Sequence, residues 1–217
     1  MENLHEFLHS ARTDYDSGTL DISNANPDPF LQFGLWMQLA VTGNINEPHA
    51  MNLATVSSAG RPSSRIVLLR NFDHHGFVFY TNYDSHKGRE LIENKITALN
   101  FFWPELHKQV RIEGYAEKIS GEESDMYFNT RPRESQIGAL VSKQSLPLNS
   151  REDLEQLEEN LTKQLEGQVI TRPENWGGFR VKPDYFEFWQ GRPSRLHDRL
   201  KYEQQENNTW KVTRLYP

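Results

Sequence analysis

The chain has no cysteine among its 217 residues. That removes thiol nucleophiles, thiolate zinc sites, iron–sulfur clusters and disulfides together. Long apolar runs are missing as well. The longest, FGLWMQLAV at 33–41, contains Gln38 and falls well short of the about 20 residues that a membrane-spanning helix needs. The first twenty residues are too charged for the apolar core of a signal peptide, and a soluble cytoplasmic protein is expected. An excess of basic charge is absent: 24 Lys and Arg stand against 30 Asp and Glu, a formal −6, which argues against a nucleic-acid partner. Neither GxGxxG nor GxxxxGK(S/T) occurs, so the usual dinucleotide and nucleoside-triphosphate loops are excluded.

What is present points to a folded, β-rich chain. Aromatic residues make up 12%, more than disordered chains carry. Residues 1–17 read as a short polar helix followed by a Gly/Asn/Pro-rich joint, and Pro29 opens a helix through about Val41. From residue 50 short strands dominate: NLATVS, RIVLLRNF, GFVFYTN, ITALNFFW, KQVRIEGYAEKI, GGFRVKP, YFEFWQG, RLHDRLKYEQ and TWKVTRLYP. Helical patterns occupy 85–94, 121–130 and 150–167, the last with leucines at 154, 157, 161 and 165 along one stripe. Strands and helices do not alternate, so an antiparallel barrel with helical decoration is expected rather than a doubly wound sheet.

HEFLH at 5–9 has the spacing of a zinc-protease helix. Such a helix must be held rigidly, and no histidine lies between His9 and His49 to act as a nearby third ligand, so no metal site is assigned. His74-His75 reads as a hairpin tip.

Four stretches concentrate cationic or hydroxyl donors. In RIVLLR, strand alternation sends Arg65, Val67 and Leu69 to one face and Ile66, Leu68 and Arg70 to the other, with an apolar centre buried on both. In YTNYDSHK, Ser85 caps a helix whose first turn holds Lys87; a cation there opposes the helix dipole, and a bound anion removes the conflict. In YFNTRPRESQIGALVSKQS, Tyr127, Arg131 and Ser135 are spaced by four, with Pro132 dividing two helical turns. A phenol, a guanidinium and a hydroxyl suit a phosphate dianion. In EFWQGRPSRLHDRL, a strand over 195–199 would align Arg195, His197 and Arg199 beside Trp189, a wall for a flat anionic ligand. Taken singly, each stretch also reads as solvated side chains.

Taken together and in order, RIVLLR, FYTN..S.K, KQVRIEG, YFNTRPRESQIGALVSKQS, NWGGFRV and EFWQGRPSRLHDR resemble the pyridoxamine 5'-phosphate oxidase family, over about Arg12 to Pro217. The resemblance implies a β-rich α+β fold: an FMN-binding split β-barrel with peripheral helices, forming a single domain over 1–217 with a mobile N-terminal segment of about 1–27. It implies a homodimer with FMN at the subunit interface. It carries FMN onto Arg65, Ile66, Val67, Leu68, Leu69, Arg70, Tyr80, Thr81, His86, Lys87, Gln109, Gln144, Ser145, Trp189 and Arg199. Substrate contacts fall on Arg70, Tyr127, Arg131, Ser135, Arg195, Leu196 and His197, with Arg195 and His197 at the reacting ring, and on Arg12 and Tyr15 of a closing segment.

The implied activity is oxidation of pyridoxamine or pyridoxine 5'-phosphate to pyridoxal 5'-phosphate, with O2 as acceptor, hydrogen peroxide as product, and ammonia released from the amine. Two positions depart from the family pattern. Arg70 stands where lysine is typical, which is expected to alter KM, and His86 stands where arginine is common, which is expected to make FMN affinity pH-dependent. Competing readings are another split-barrel flavin oxidoreductase, a non-catalytic carrier of pyridoxal phosphate, and an oligonucleotide-binding barrel.

Overall fold

A computed structural model describes residues 2–10, 15 and 18–217. Two helices lead, α1 (Glu2–Ser10) and α2 (Pro29–Thr42), followed by strands β1 (Ala50–Val56), β2 (Pro62–Leu68), β3 (Asn71–Asp73) and β4 (Gly76–Asn82). Helix α3 (His86–Glu93) separates these from β5 (Ile96–Trp103) and β6 (Lys108–Lys118). Three helices come next, α4 (Gly121–Thr130), α5 (Arg133–Val141) and α6 (Arg151–Gln164), then β7 (Trp176–Gln190), β8 (Asp198–Gln204) and β9 (Trp210–Leu215). The strands form one sheet in the order β2-β1-β5-β6-β7-β4-β3, with β8 pairing with β7 and β9. No helix among the described residues is long and apolar enough to cross a membrane.

The chain divides into two compact units: residues 1–48, 100–111 and 185–217 form one, and residues 49–99 and 112–184 the other. In the first, α2 begins where the Asp28 carboxylate accepts from the N–H groups of Phe30 and Leu31 at 2.8 and 3.4 Å, with Pro29 in the first turn, where its missing N–H costs nothing. Its inner face buries Phe30, Phe33 and Trp36. Trp36 meets Phe188 edge-on at 5.2 Å, and Phe33 meets Phe101 at 4.9 Å. Leu20 is buried, its N–H donates to Asp198 at 3.1 Å, and Arg192 donates to the Gly18 carbonyl at 2.7 Å.

In the second unit, β4 has the burial of a central strand, with Phe77, Val78 and Phe79 inaccessible, and it pairs with β3 on one side and β7 on the other. Phe128, Ile137, Ile170 and Trp176 form a core beneath α4 and α5, against which Leu161 and Leu165 of α6 pack. The leucine stripe of α6 is thus only partly covered, and Leu157 stays 52% exposed.

Several expectations need correction. RIVLLRNF is not one strand: β2 ends at Leu68 and β3 restarts at Asn71. Leu69 donates to the His49 carbonyl and Arg70 to that of Val78, so the chain changes partner between them. Nor is its apolar centre buried on both faces, since β2 ends the strand order and Ile66 is 64% exposed. GGFRVKP and YFEFWQG form a single strand, β7, which continues through Pro183. Residues 195–197 are not strand. Pro193–Arg195 make a 3-10 turn, Ser194 and Arg195 take positive φ (57° and 61°), and β8 starts only at Asp198. Proline has no N–H for a ladder, so pairing stops there and the one-face alignment of Arg195, His197 and Arg199 fails.

Candidate functional site

The second unit holds a cavity of about 430 Å³. Strand β2 supplies Ile66, Val67 and Leu68 to its wall, Arg70 follows, and β4 brings Tyr80 and Thr81. Lys87 enters from α3, Tyr127 from α4, Ser135 from α5 and Gln144 from the segment after it, while Arg131 and Trp176 complete the lining.

The junction of α4 and α5 explains how the phenol, guanidinium and hydroxyl converge. Arg131 precedes a proline, which pushes it out of the helical region, and its φ and ψ of −73° and 145° are extended. The helix breaks at that residue and Ser135 is carried on a new one. Tyr127 stacks on Tyr80 at 3.8 Å between centroids, and the Arg131 guanidinium lies 4.5 Å from the Trp176 ring centre. Arg131 Nη1 is buried without a hydrogen-bond partner. Burial, with the nearby Arg70 charge, pulls the Arg131 pKa below its usual value against the opposing effect of Tyr127. Burial above all, with Glu123 adding, pushes the Tyr80 phenol up to about 12. A buried guanidinium with an orphaned N–H, beside a second arginine, a phenol and a hydroxyl, fits a phosphate group.

At the cavity's other end Lys87 Nζ donates to Thr81 Oγ1 at 3.2 Å and to Gln144 Oε1 at 3.0 Å. Burial, then the Arg65 charge, lowers the Lys87 pKa to about 8. The His86 N–H donates to Ser145 Oγ at 3.1 Å. Ser85 caps α3 by accepting from the Gly88 N–H at 3.2 Å, and Gly88 is needed there because a Cβ would stand 2.3 Å from the Tyr83 carbonyl oxygen. Arg65 turns away from the cavity lining toward Glu90, 3.4 Å away, and donates to the hydroxyls of Thr55 and Ser63. Burial pushes the Glu90 carboxyl up, but hydrogen bonds from Thr55 and Ser63, with the His86 and Arg65 charges, outweigh it and hold the pKa below its usual value.

The first unit holds a separate aromatic cluster. Tyr15 lies 4.5 Å from the His107 ring, 5.7 Å from Trp189 and 5.7 Å from His197, and Trp189 lies 4.6 Å from His197. His197 Nδ1 accepts the Arg192 N–H at 3.1 Å, so the neutral ring carries its proton on Nε2. Burial, then the Arg195 charge, lowers its pKa, which favours that neutral form. Arg199 pairs in two-pronged fashion with the buried Glu187 (3.0 Å at each contact), and Arg111 and the Tyr185 hydroxyl reach the same carboxylate. The cationic segment is therefore balanced in part from within.

Of the residues singled out in the sequence, the cavity brings together Ile66, Val67, Leu68, Arg70, Tyr80, Thr81, Lys87, Gln144, Tyr127, Arg131 and Ser135. Arg65, Leu69, His86 and Ser145 do not line it; Leu69 is buried and the other three lie in the same unit. Gln109, Trp189, Arg195, Leu196, His197, Arg199 and Tyr15 belong to the first unit, and Leu196 is 69% exposed. Arg12 lies outside the described residues. Trp176, Glu90, Glu187 and His107 were not singled out. The His86–Glu90 spacing of four on a helix was the available signal for one of them.

A family model described as pyridoxamine 5'-phosphate oxidase matches residues 38–163, and one described as the pyridoxine 5'-phosphate oxidase C-terminal dimerisation region matches 176–217. The chain belongs to the pyridoxamine 5'-phosphate oxidase family. It is 53% identical over 211 residues to the pyridoxine/pyridoxamine 5'-phosphate oxidase of Cytophaga hutchinsonii, covering 97% of this chain and 98% of that one. To the enzyme of the same name from Nostoc punctiforme it is 52% identical over 206 residues, covering 95% and 96%. Among solved structures, PhzG from Burkholderia lata, in complex with tetrahydrophenazine-1-carboxylic acid, aligns with a TM-score of 0.88 at 32% identity over 94% of this chain and 100% of that one. The fold is accordingly the split barrel of this family, and the relatives' names make it an oxidoreductase family. PhzG also means that a structural relative carries a ligand other than a B6 vitamer.

Proposed function

We propose that the chain is an FMN-dependent oxidase that converts pyridoxamine and pyridoxine 5'-phosphate to pyridoxal 5'-phosphate. Dioxygen accepts the electrons and leaves as hydrogen peroxide; from the amine, the imine formed by the oxidation is hydrolysed by water, which supplies the aldehyde oxygen and releases ammonia. The observation that carries this reading is Arg131, buried, stacked on Trp176 and holding an unpartnered Nη1 in a cavity shared with Arg70, Tyr127 and Ser135. Such a set accepts a phosphate monoester, and it favours a phosphorylated substrate over the ligand that PhzG carries.

FMN, when bound, supplies a two-electron acceptor. Lys87, Thr81, Gln144, Ser145 and the α3 N-terminus, with Arg65 behind them, would hold its phosphate, and the β2 backbone from Ile66 to Leu68 would run along its length. Arg70, Tyr127, Arg131 and Ser135 hold the substrate phosphate, the end that does not react, and so fix the position of the reacting carbon. His197 offers Nε2–H as a donor to the substrate's ring oxygen, with Nδ1 kept from protonation by the Arg192 N–H. Arg195 adds positive charge beside it. The match to the family's dimerisation region supports a homodimer, in which a second copy contributes to each site.

The test is the visible spectrum of the purified protein, followed by anaerobic addition of pyridoxine 5'-phosphate. A band near ~450 nm that bleaches with the substrate and returns with air is the expected result. A flavin band indifferent to that substrate would transfer the reading to another split-barrel flavin oxidoreductase. A protein that stays colourless after FMN is supplied would overturn the cofactor.

A further inference from the structure

Glu90 is 5% exposed, and its carboxylate gathers four donors from three elements. Oε2 accepts from the Thr55 hydroxyl of β1 at 2.5 Å, from the Ser63 hydroxyl of β2 at 2.7 Å and from Arg65 Nη2 at 3.4 Å. Oε1 lies 3.2 Å from His86 Nε2, one helical turn back on α3. Arg65 Nη1 also donates to Thr55 Oγ1, so Arg65 and Glu90 are linked both directly and through that hydroxyl.

A buried anion at this place works against a neighbouring anion site unless it does something else there, because like charges a few ångströms apart repel. The two side chains it holds flank the start of α3: His86 opens the helix, and the Arg65 charge is felt by Lys87 in the next position. A free arginine in mid-strand samples many rotamers, whereas Arg65, pinned through both terminal nitrogens, holds its guanidinium in one plane.

We propose that Glu90 is a positioning residue for the phosphate-binding end of the flavin site, fixing Arg65 and His86 and through them setting the preference for a phosphorylated over an unphosphorylated flavin. This rests on the reading that FMN binds with its phosphate at Lys87 and the α3 N-terminus. Glu90 itself touches no ligand in this scheme; its influence passes through Arg65 and His86.

The experiment is fluorescence titration of the ligand-free protein with FMN and, separately, with riboflavin, which lacks the phosphate. In Glu90→Ala the dissociation constant for FMN rises by about tenfold or more, the scale of a lost charged hydrogen bond, while that for riboflavin stays put. Glu90→Gln recovers most of the loss, since its carbonyl oxygen can still accept from Thr55, Ser63 and Arg65. Should Glu90→Ala not fold, Glu90→Asp keeps the charge but withdraws it by one methylene, and it lowers the FMN-to-riboflavin preference in the same direction. Unchanged FMN affinity in Glu90→Ala, or in Glu90→Asp where that variant stands in, overturns the proposal. So does a proportional loss for both flavins, which marks a general structural role. If the unmodified protein binds riboflavin as tightly as FMN, the phosphate placement fails instead, and that result is visible before any variant is made.

Discussion

The Arg131 guanidinium and the Trp176 indole lie 4.5 Å apart, centre to centre, with Arg131 Nη1 shut off from water and from every hydrogen-bond acceptor of the described protein. The stacking orients the planar group without consuming its donors. Arg131→Lys keeps the charge but loses both the plane and the stack. It is expected to raise KM for pyridoxine 5'-phosphate by about tenfold or more, with a smaller effect on kcat. Steady-state kinetics at saturating FMN check this, and an unchanged KM would remove Arg131 from the phosphate site.

Lys87 sets a pH dependence with opposite signs for binding and for stability. Its pKa of about 8 in the ligand-free protein means that the ammonium needed for an anion is intact below that pH and lost above it. The Lys87 contribution to FMN affinity is therefore expected to hold steady up to about pH 8 and fall beyond it. Stability without ligand runs the other way. The unfolded lysine titrates near ~10.4, so between the two values the unfolded chain binds more protons and the folded state gains as pH rises. Lys108, also lowered to about 8 by burial, contributes with the same sign. Lys87→Met should flatten the binding profile and leave the Lys108 share of the stability profile intact.

Glu187 illustrates a carboxylate whose removal is costly. It is 2% exposed and accepts from Arg199, Arg111 and Tyr185. Glu187→Ala leaves two partly exposed guanidiniums without their counter-ion and is expected to destabilise the protein by about 1–3 kcal/mol in urea unfolding. Glu155→Ala, which breaks the exposed pair with Arg151, should be indistinguishable from the parent protein. Equal effects from the two would refute the assignment.

His197 acts in its neutral form if Nε2 is the donor. Because burial and Arg195 lower its pKa from 6.5, the acidic limb of the pH–rate profile should lie below that value. His197→Asn is expected to abolish this limb and reduce kcat, and a limb that persists in the variant belongs to another group.

How much of this could be read from the residues varied with the locality of the cause. Helix α4 runs from Gly121 to Thr130 as expected, because a serine cap, acidic first turn and terminating proline are all local signals. Tyr127, Arg131 and Ser135 were grouped by spacing alone, and they do share one cavity. The break between β2 and β3 was not legible, since it follows from which distant carbonyls Leu69 and Arg70 find. The turn at Ser194 was missed because alternation in RLHDR imitates a strand, while Pro193 just before it was the contrary sign. The partners of Glu90 and Glu187 come from strands far apart in the chain, and only the i, i+4 spacing of His86 and Glu90 offers a local sign of either.

The exposed margin at β2 carries a hazard for the newly made chain. With Ile66 at 64% exposure on the last strand of the order, a lone copy displays an apolar, half-satisfied ladder to any other extended segment it meets. Pro62 at the strand's first position withholds one donor, and Arg61 before it adds a charge, so the margin is blunted at one end only. Aggregation at high expression would then start from this strand, at its unblunted end.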